Sequence, residues 1–360
     1  HISPTELANI ALRHIADTKD EINAIVFPAR EARIMHDAKA AETQIAKGHV
    51  NWQDRPLTGV PISVKDCLDV QGMPTSSGVP VFKDRPAKED ATVVKRLRDA
   101  GAIVIGKTNL PALLSAYETG NPVFGTTNNP YDTTCTPGGS SGGEAAILAS
   151  GGSWLGVGTD GLGSIRVPSH YCGIAGLRPG WGRVSRGGHL PPPQEGEGAL
   201  PDPGYLTVGP MARSVKDLHV ALSIMNGPDP RDPNSFPVPL GNFRKVQLKG
   251  LKVALWTESK GAVLTQETQD TLDNARRALE KLGVKVKKDK PPLADRIYDI
   301  SQALYAPFFL EEWEAVLAEH GIAKPGPIDR DMMEGLGAWK QPYDHEQVEA
   351  FQALLPELKR

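Results

Sequence analysis

Hydrophobic positions along this chain recur in two rhythms. Near the amino terminus Leu7, Ile10, Ala11 and Ile15 fall three and four residues apart, which puts them on one helix face. Ser3-Pro4-Thr5-Glu6 supplies the start signals: a capping serine, a proline in the first turn and a glutamate three residues after the serine. A second helical pattern runs from about Glu31 to Ala46 and stops near Gly48. Shorter apolar runs predict strands at Val60–Val64, Ala102–Ile105 and Trp154–Gly158, the first delivering Lys65 at its end. Asp90 is expected to cap a helix that runs to about Ala100 and is closed by Gly101. The glycine-rich run Gly138–Gly143 leads into a short helix ending near Ala149. Later, Val253–Trp256, a helix over about Thr265–Leu282 and Val284–Val286 form a strand–helix–strand unit, with Gly283 closing the helix.

Strands alternating with helices predict an α/β fold, a sheet with helices on both faces. The stretch Gly187–Gly204 contains Pro191-Pro192-Pro193 and reads as a loop, either the wall of a site or a surface linker. Beyond about Pro325 the pattern weakens into short helical pieces, and no internal repeat appears.

Composition narrows the function classes. Apolar residues make up 39% and charged residues 23%, enough to bury a core and unlike a disordered chain. The net charge of −3 argues against an electrostatic nucleic-acid binder. No apolar run reaches the length of a membrane span, and no signal-peptide pattern opens the chain at His1. Cys67, Cys135 and Cys172 are odd in number and widely spaced, so they read as buried thiols in a reducing, cytoplasmic compartment. No HExxH motif or tight His/Asp cluster suggests a metal.

Three short motifs compete for attention. Gly101–Thr108 matches the phosphate-loop pattern GxxxxGKT, but its middle is Ala-Ile-Val-Ile, a buried strand rather than an exposed cradle of N–H groups. Gly156–Gly161 matches GxGxxG, but no acidic residue follows about 20 positions later. Gly138-Gly-Ser-Ser-Gly142 matches the nucleophile-elbow pattern GxSxG. That reading needs a histidine, and His170, His189, His219, His320 and His345 are all available, so it stays open.

The chemistry concentrates in two serine-bearing glycine segments, Pro137–Glu144 and Gly158–Arg166. Glycines let the backbone approach a substrate and let several N–H groups converge on one developing oxyanion. A serine needs a base to become a nucleophile, and neither segment contains histidine. A lysine can serve if burial depresses its pKa, and Lys65 in Ser63-Val-Lys-Asp66 stands at a strand end where this can happen.

Together these segments resemble the amidase signature family. The family carries a GGSSGG segment, a GTDxGGSIR segment and a CGxxGxKP segment; this chain shows Gly138–Gly143, Gly158–Arg166 and Cys172–Pro179. Asp69–Thr75 and Gly209-Pro-Met-Ala-Arg213 extend the likeness, which covers about residues 1 to 290. The resemblance implies an amidase-signature fold over 1–360 as a single domain, with a central mixed β-sheet. It implies Ser164 as the nucleophile that becomes acylated, Ser140 as a proton relay held by a cis peptide bond, and Lys65 as the neutral base. The backbone N–H groups of Gly161, Leu162, Gly163 and Ser164 would form the oxyanion hole. Ser141, Asp160 and Arg166 would brace the loops, and Thr159 would be a strand-end hydrogen bonder. No cofactor or metal is implied.

The chain departs from the family at two places. Leu162 stands where glycine is usual, so its side chain is expected in the acyl pocket or packed behind the loop. Family members also usually continue for roughly a hundred residues past a region like 300–360, so the usual carboxy-terminal portion is expected to be missing. The implied activity is hydrolysis of a C–N acyl bond in a small-molecule amide, closer to the aryl-acylamidase and urethanase-like or fatty-amide branches than to an amidotransferase subunit. Carbamate hydrolysis, side activity on esters, a subunit of an amidotransferase working with partners and a non-catalytic ligand-binding relative are the alternatives. No nucleic-acid or membrane partner is expected, and a homodimer is left open.

Overall fold

The computed structural model describes residues 2–192, 204–258, 263–291 and 294–297, with Trp313, Val316 and Ala318. Most of the proline-rich loop and the pieces beyond Pro325 therefore lie outside the described residues. The described residues divide into two compact units, one running to Val238 and including Trp313, Val316 and Ala318, the other running from Pro239 to 297.

In the larger unit, helix α1 (Pro4–Thr18) begins where its signals place it: Ser3 Oγ accepts from Glu6 N–H, and Glu6 accepts from Ser3 N–H at 2.7 Å. Strand β1 (Ile25–Pro28) leads into α2 (Glu31–Ala46), and β2 (Pro61–Lys65) ends on Lys65. Helix α3 (Thr92–Asp99) starts from Ala91, not from Asp90 as expected. The Asp90 carboxylate turns away, accepting from Gln71 N–H and pairing with Arg98 at 2.8 Å, a charge partner that outcompetes a capping role. Strand β3 (Ile103–Thr108) follows. A small hairpin, β4 (Gly120–Asn121) and β5 (Gly125–Thr126), precedes α4 (Gly142–Ser150) and β6 (Leu155–Asp160). Then come α5 (Arg166–Tyr171), β7 (Ala175–Gly176), β8 (Thr207–Ala212) and α6 (Val215–Met225).

Six of these strands make one mixed sheet in the order β1-β3-β2-β6-β8-β7. β3, β2 and β6 run parallel at its centre, and β1, β8 and β7 pair antiparallel outside them. Ala8 and Ala11 of α1 join Ile34 and Ala38 of α2 over Ile103 and Ile105 of β3. A second cluster gathers Ala145, Ile147 and Leu148 of α4 with Ile165, Cys172 and Met211. Successive residues of a strand face opposite ways, so the polar Ser63 and Lys65 of β2 share the side that faces α4, while Ile62 and Val64 face the other.

The smaller unit holds β9 (Lys252–Leu255), α7 (Gln266–Lys281) and β10 (Lys285–Lys288), with the two strands parallel and in register. Thr265 caps α7 by accepting from Thr268 N–H, and Gly283 at φ 82° closes it. No described helix is long and apolar enough to cross a membrane. Cys67 and Cys172 are buried thiols, but Cys135 is exposed, which corrects the expectation for that residue. It sits on a turn whose N–H donates to the Asp132 carbonyl, with Sγ near the Asp132 carboxylate in solvent.

Candidate active site

Lys65 is fully buried, and its side chain is met by two hydroxyls. Nζ lies 2.6 Å from Ser140 Oγ and 2.9 Å from Thr159 Oγ1. Burial pushes its pKa down to about 8, against the pull of Cys67, Asp160 and Glu144. A second buried lysine provides the contrast. Lys107 forms an ion pair with Asp66 at 2.9 Å and donates to Pro74 O and Thr75 Oγ1. One buried lysine therefore has a carboxylate to hold its charge, and the other, at the end of β2, has only hydroxyls.

The loop before α4 brings Ser140 to Lys65 through a cis peptide bond between Gly139 and Ser140. Ser141 ties this loop to the neighbouring one: its N–H donates to Ser164 O at 3.0 Å, its Oγ donates to Thr159 O, and Oγ also accepts from Thr159 N–H. Ser140 and Ser164 thus lie on adjoining segments, with Ser140 buried and Ser164 half-buried. Asp160, at the end of β6, accepts from the N–H groups of Gly163, Ile165 and Arg166 and from the Arg166 guanidinium. Burial works against this carboxylate, but Arg166 and the backbone donors outweigh it and hold it below its usual range. Among the four expected oxyanion donors, Gly163 N–H is committed to Asp160 at 2.8 Å. The positive φ of the segment, 131°, falls at Gly163 and not at Leu162, so leucine is tolerated there. Leu162 is half-buried, and its carbonyl accepts from Tyr117 OH at 2.7 Å.

The glycines of the GxGxxG match have a steric reason instead of a nucleotide one. A Cβ on Gly156 would stand 2.1 Å from Glu144 Oε2, and one on Gly158 would stand 2.9 Å from Ser141 Oγ and 2.7 Å from Met211 Sδ. β6 is bare at these positions because Glu144, Ser141 and Met211 press onto it. The elbow reading also loses its base: the group on Ser140 is Lys65, not a histidine. The buried His189 donates from Nδ1 to Pro191 O at 2.7 Å and is held neutral, pushed down to about 3, chiefly by burial.

A family model for amidases matches residues 6–342. The chain belongs to the amidase family. Among curated relatives it is 34% identical to the A subunit of glutamyl-tRNA(Gln) amidotransferase from Alkaliphilus metalliredigens, over 90% of this chain and 65% of that protein. It therefore spans slightly less than two thirds of that relative's length. Among solved structures it resembles a bacterial aryl acylamidase of the amidase signature enzymes, with a TM-score of 0.81, 28% identity, and coverage of 99% of this chain and 73% of that one. It also resembles 6-aminohexanoate cyclic dimer hydrolase, with a TM-score of 0.78, 27% identity, and coverage of 99% and 72%. The amidase-signature fold, an α/β fold with a mixed central sheet, is thereby shown.

In this amidase-family chain, sequence reasoning undervalued Thr159, which holds Lys65 Nζ, and missed Tyr117, which braces the Ser164 loop through Leu162. Thr159 was within reach, since it lies in the same GTD segment as Asp160. Tyr117 lies 47 positions before Ser164 and carries no motif (164 − 117 = 47). A cavity of about 780 Å³ opens beside β3, lined by Phe27, Arg30, Arg55, Arg98 and Ile103, and none of the Ser–Ser–Lys residues lines it. Among the described residues no group of three His, Cys, Asp or Glu side chains could hold a metal ion.

Proposed function

We propose that this chain hydrolyses a C–N acyl bond of a small molecule through an acyl-serine intermediate. The observation that carries this reading is Lys65, buried without a carboxylate partner and 2.6 Å from Ser140. A lysine so placed reaches its neutral form near neutral pH and can accept a proton. Lys65 takes the proton of Ser140 as Ser140 takes that of Ser164. Ser164 Oγ then attacks the carbonyl carbon. Gly161, Leu162 and Ser164 supply N–H donors to the resulting oxyanion, with Gly163 held by Asp160 as their hinge. Collapse breaks the C–N bond, and the proton returns through Ser140 to the departing amine. Water repeats the sequence, releasing the carboxylic acid and restoring Ser164. A carbamate follows the same route and releases carbon dioxide. An ester reacts too, since an alkoxide leaves more readily than an amine. The likeness to an aryl acylamidase favours an anilide-type amide as the substrate class.

A second reading, one subunit of an amidotransferase working with partners, draws support from the curated relatives. The assay that separates them uses 4-nitroacetanilide, an aryl carbamate and a 4-nitrophenyl ester, on wild type and on Lys65→Ala, Ser140→Ala and Ser164→Ala. Cleavage by wild type and loss of at least about a thousandfold in each folded variant are expected. Near-normal activity in Lys65→Ala would falsify the mechanism. A fluorophosphonate should label wild type and not Ser164→Ala; equal labelling of both removes Ser164 as the nucleophile.

A further inference from the structure

Glu144, in the first turn of α4, is the one fully buried glutamate among the described residues. Four oxygens form a line from it. Glu144 Oε2 lies 2.6 Å from Ser63 Oγ, Ser63 Oγ lies 3.1 Å from Ser153 Oγ, and Ser153 Oγ lies 3.0 Å from the Leu155 carbonyl. Three contacts need three protons. A carbonyl oxygen only accepts, so Ser153 donates to Leu155. Ser63 then donates to Ser153. The contact between Ser63 and Glu144 has no hydroxyl proton left, and the carboxyl group is the remaining source. An ionised Glu144 would leave two buried oxygens facing each other without a hydrogen, wherever along the line the gap is placed. The other carboxyl oxygen, Oε1, accepts from Thr108 Oγ1 at 2.9 Å. Gly156 leaves the space that Oε2 occupies.

We propose that Glu144 is held as a neutral carboxylic acid whose proton closes this line, and that its neutrality spares Lys65 a counter-anion; the second half rests on the reading of Lys65 as a base. A carboxylate facing Lys65 would favour the ammonium form and remove the lone pair that the mechanism needs. The Asp66–Lys107 pair is what that alternative looks like elsewhere in this sheet. Lys65 on β2 is the titratable group that faces Glu144. Around Lys65 stand Cys67, Asp160 and the neutral His189, while Thr108 of β3 and Ser153 before β6 bring hydroxyls alone. Burial raises the Glu144 pKa to about 8, outweighing the pull that Ser63 and Thr108 would exert as donors and that of the charge of Lys65; with Ser63 accepting instead, the neutral acid is favoured further.

Glu144→Gln keeps the shape: its amide nitrogen donates to Ser63 and its oxygen accepts from Thr108. The first measurement is denaturant unfolding of wild type and Glu144→Gln from about pH 5 to about pH 8. A carboxyl whose folded pKa lies above its unfolded value costs stability as pH rises between the two, because the unfolded chain has already released that proton. Wild type should therefore lose stability relative to Glu144→Gln across that window, and a flat difference overturns the proposal. The second measurement needs no variant. Wild type labelled with 13C-carboxyl glutamate should show, at neutral pH, an infrared band of a protonated carboxyl that moves with the label; glutamate signals wholly in the carboxylate region overturn it. The third reads the role at Lys65. The acid limb of kcat/KM for an anilide should keep its midpoint in Glu144→Gln within about half a unit, whereas a fall of more than about one unit means that a negative charge was removed. If wild type cleaves no acyl substrate, the functional reading fails while the first two measurements still decide the proton.

Discussion

At the scale of single residues, the decisive comparison is between two buried lysines. Burying an ammonium is costly unless a carboxylate compensates it. Lys107 has Asp66 at 2.9 Å, and Lys65 has Ser140 and Thr159. Hydroxyls stabilise the ammonium less than a carboxylate does, so burial pushes the Lys65 pKa down to about 8. The sign of the consequence is definite. In the proposed mechanism the base works when neutral, so activity is lost as pH falls through the folded pKa. We expect kcat/KM to drop about tenfold per pH unit below about 8 and to level off above it. A pH-rate profile checks this, and a profile flat down to pH 6 contradicts the assignment of Lys65. His189, already neutral, adds no limb to that profile in this range.

At the scale of elements, the site depends on how closely α4 approaches its neighbours. At Gly143 the helix meets backbone, since a Cβ there would stand 2.5 Å from Asn109 N and 2.6 Å from Asn109 O. A strand end cannot step aside for one methyl group without moving Thr108, which holds Glu144. Gly143→Ala is therefore expected to lower stability by about 1–3 kcal/mol, read as a fall in the denaturation midpoint. An unchanged midpoint would mean that α4 is held less rigidly than its contacts indicate. The glycine runs were plain in the sequence, but the reason for each glycine was not. Gly156 and Gly158 matched a dinucleotide-loop pattern, which the missing acidic residue argued against, because the same residue serves any close approach, whether to a phosphate or to a packed side chain.

At the scale of the whole molecule, the question is whether this chain acts alone. It matches amidotransferase subunits by sequence and an aryl acylamidase by structure, and it spans 65% of one and 73% of the other. All three residues of the proposed mechanism come from the larger unit, Lys65 from β2, Ser140 from the loop before α4 and Ser164 from the loop after β6. We therefore expect hydrolysis of 4-nitroacetanilide by the isolated chain with no partner added. Activity that emerges only when a partner protein is added would favour the amidotransferase reading.

Local signals determined much of this protein from the sequence alone. The cap at Ser3, the central strands and the two serine segments could be read because each depends on residues close together in the chain. The catalytic candidates were legible because the glycine-serine runs and Ser63-Val-Lys-Asp66 resemble a family. Asp90 misled because a capping residue looks the same whether or not an arginine waits eight positions on. Thr159 under Lys65, Tyr117 on Leu162, and the proton line from Glu144 through Ser63 and Ser153 were settled only by tertiary structure. Those contacts join residues far apart in sequence, and which hydroxyl meets which carboxyl depends on strand order and on the facing of α4, neither of which a local pattern encodes.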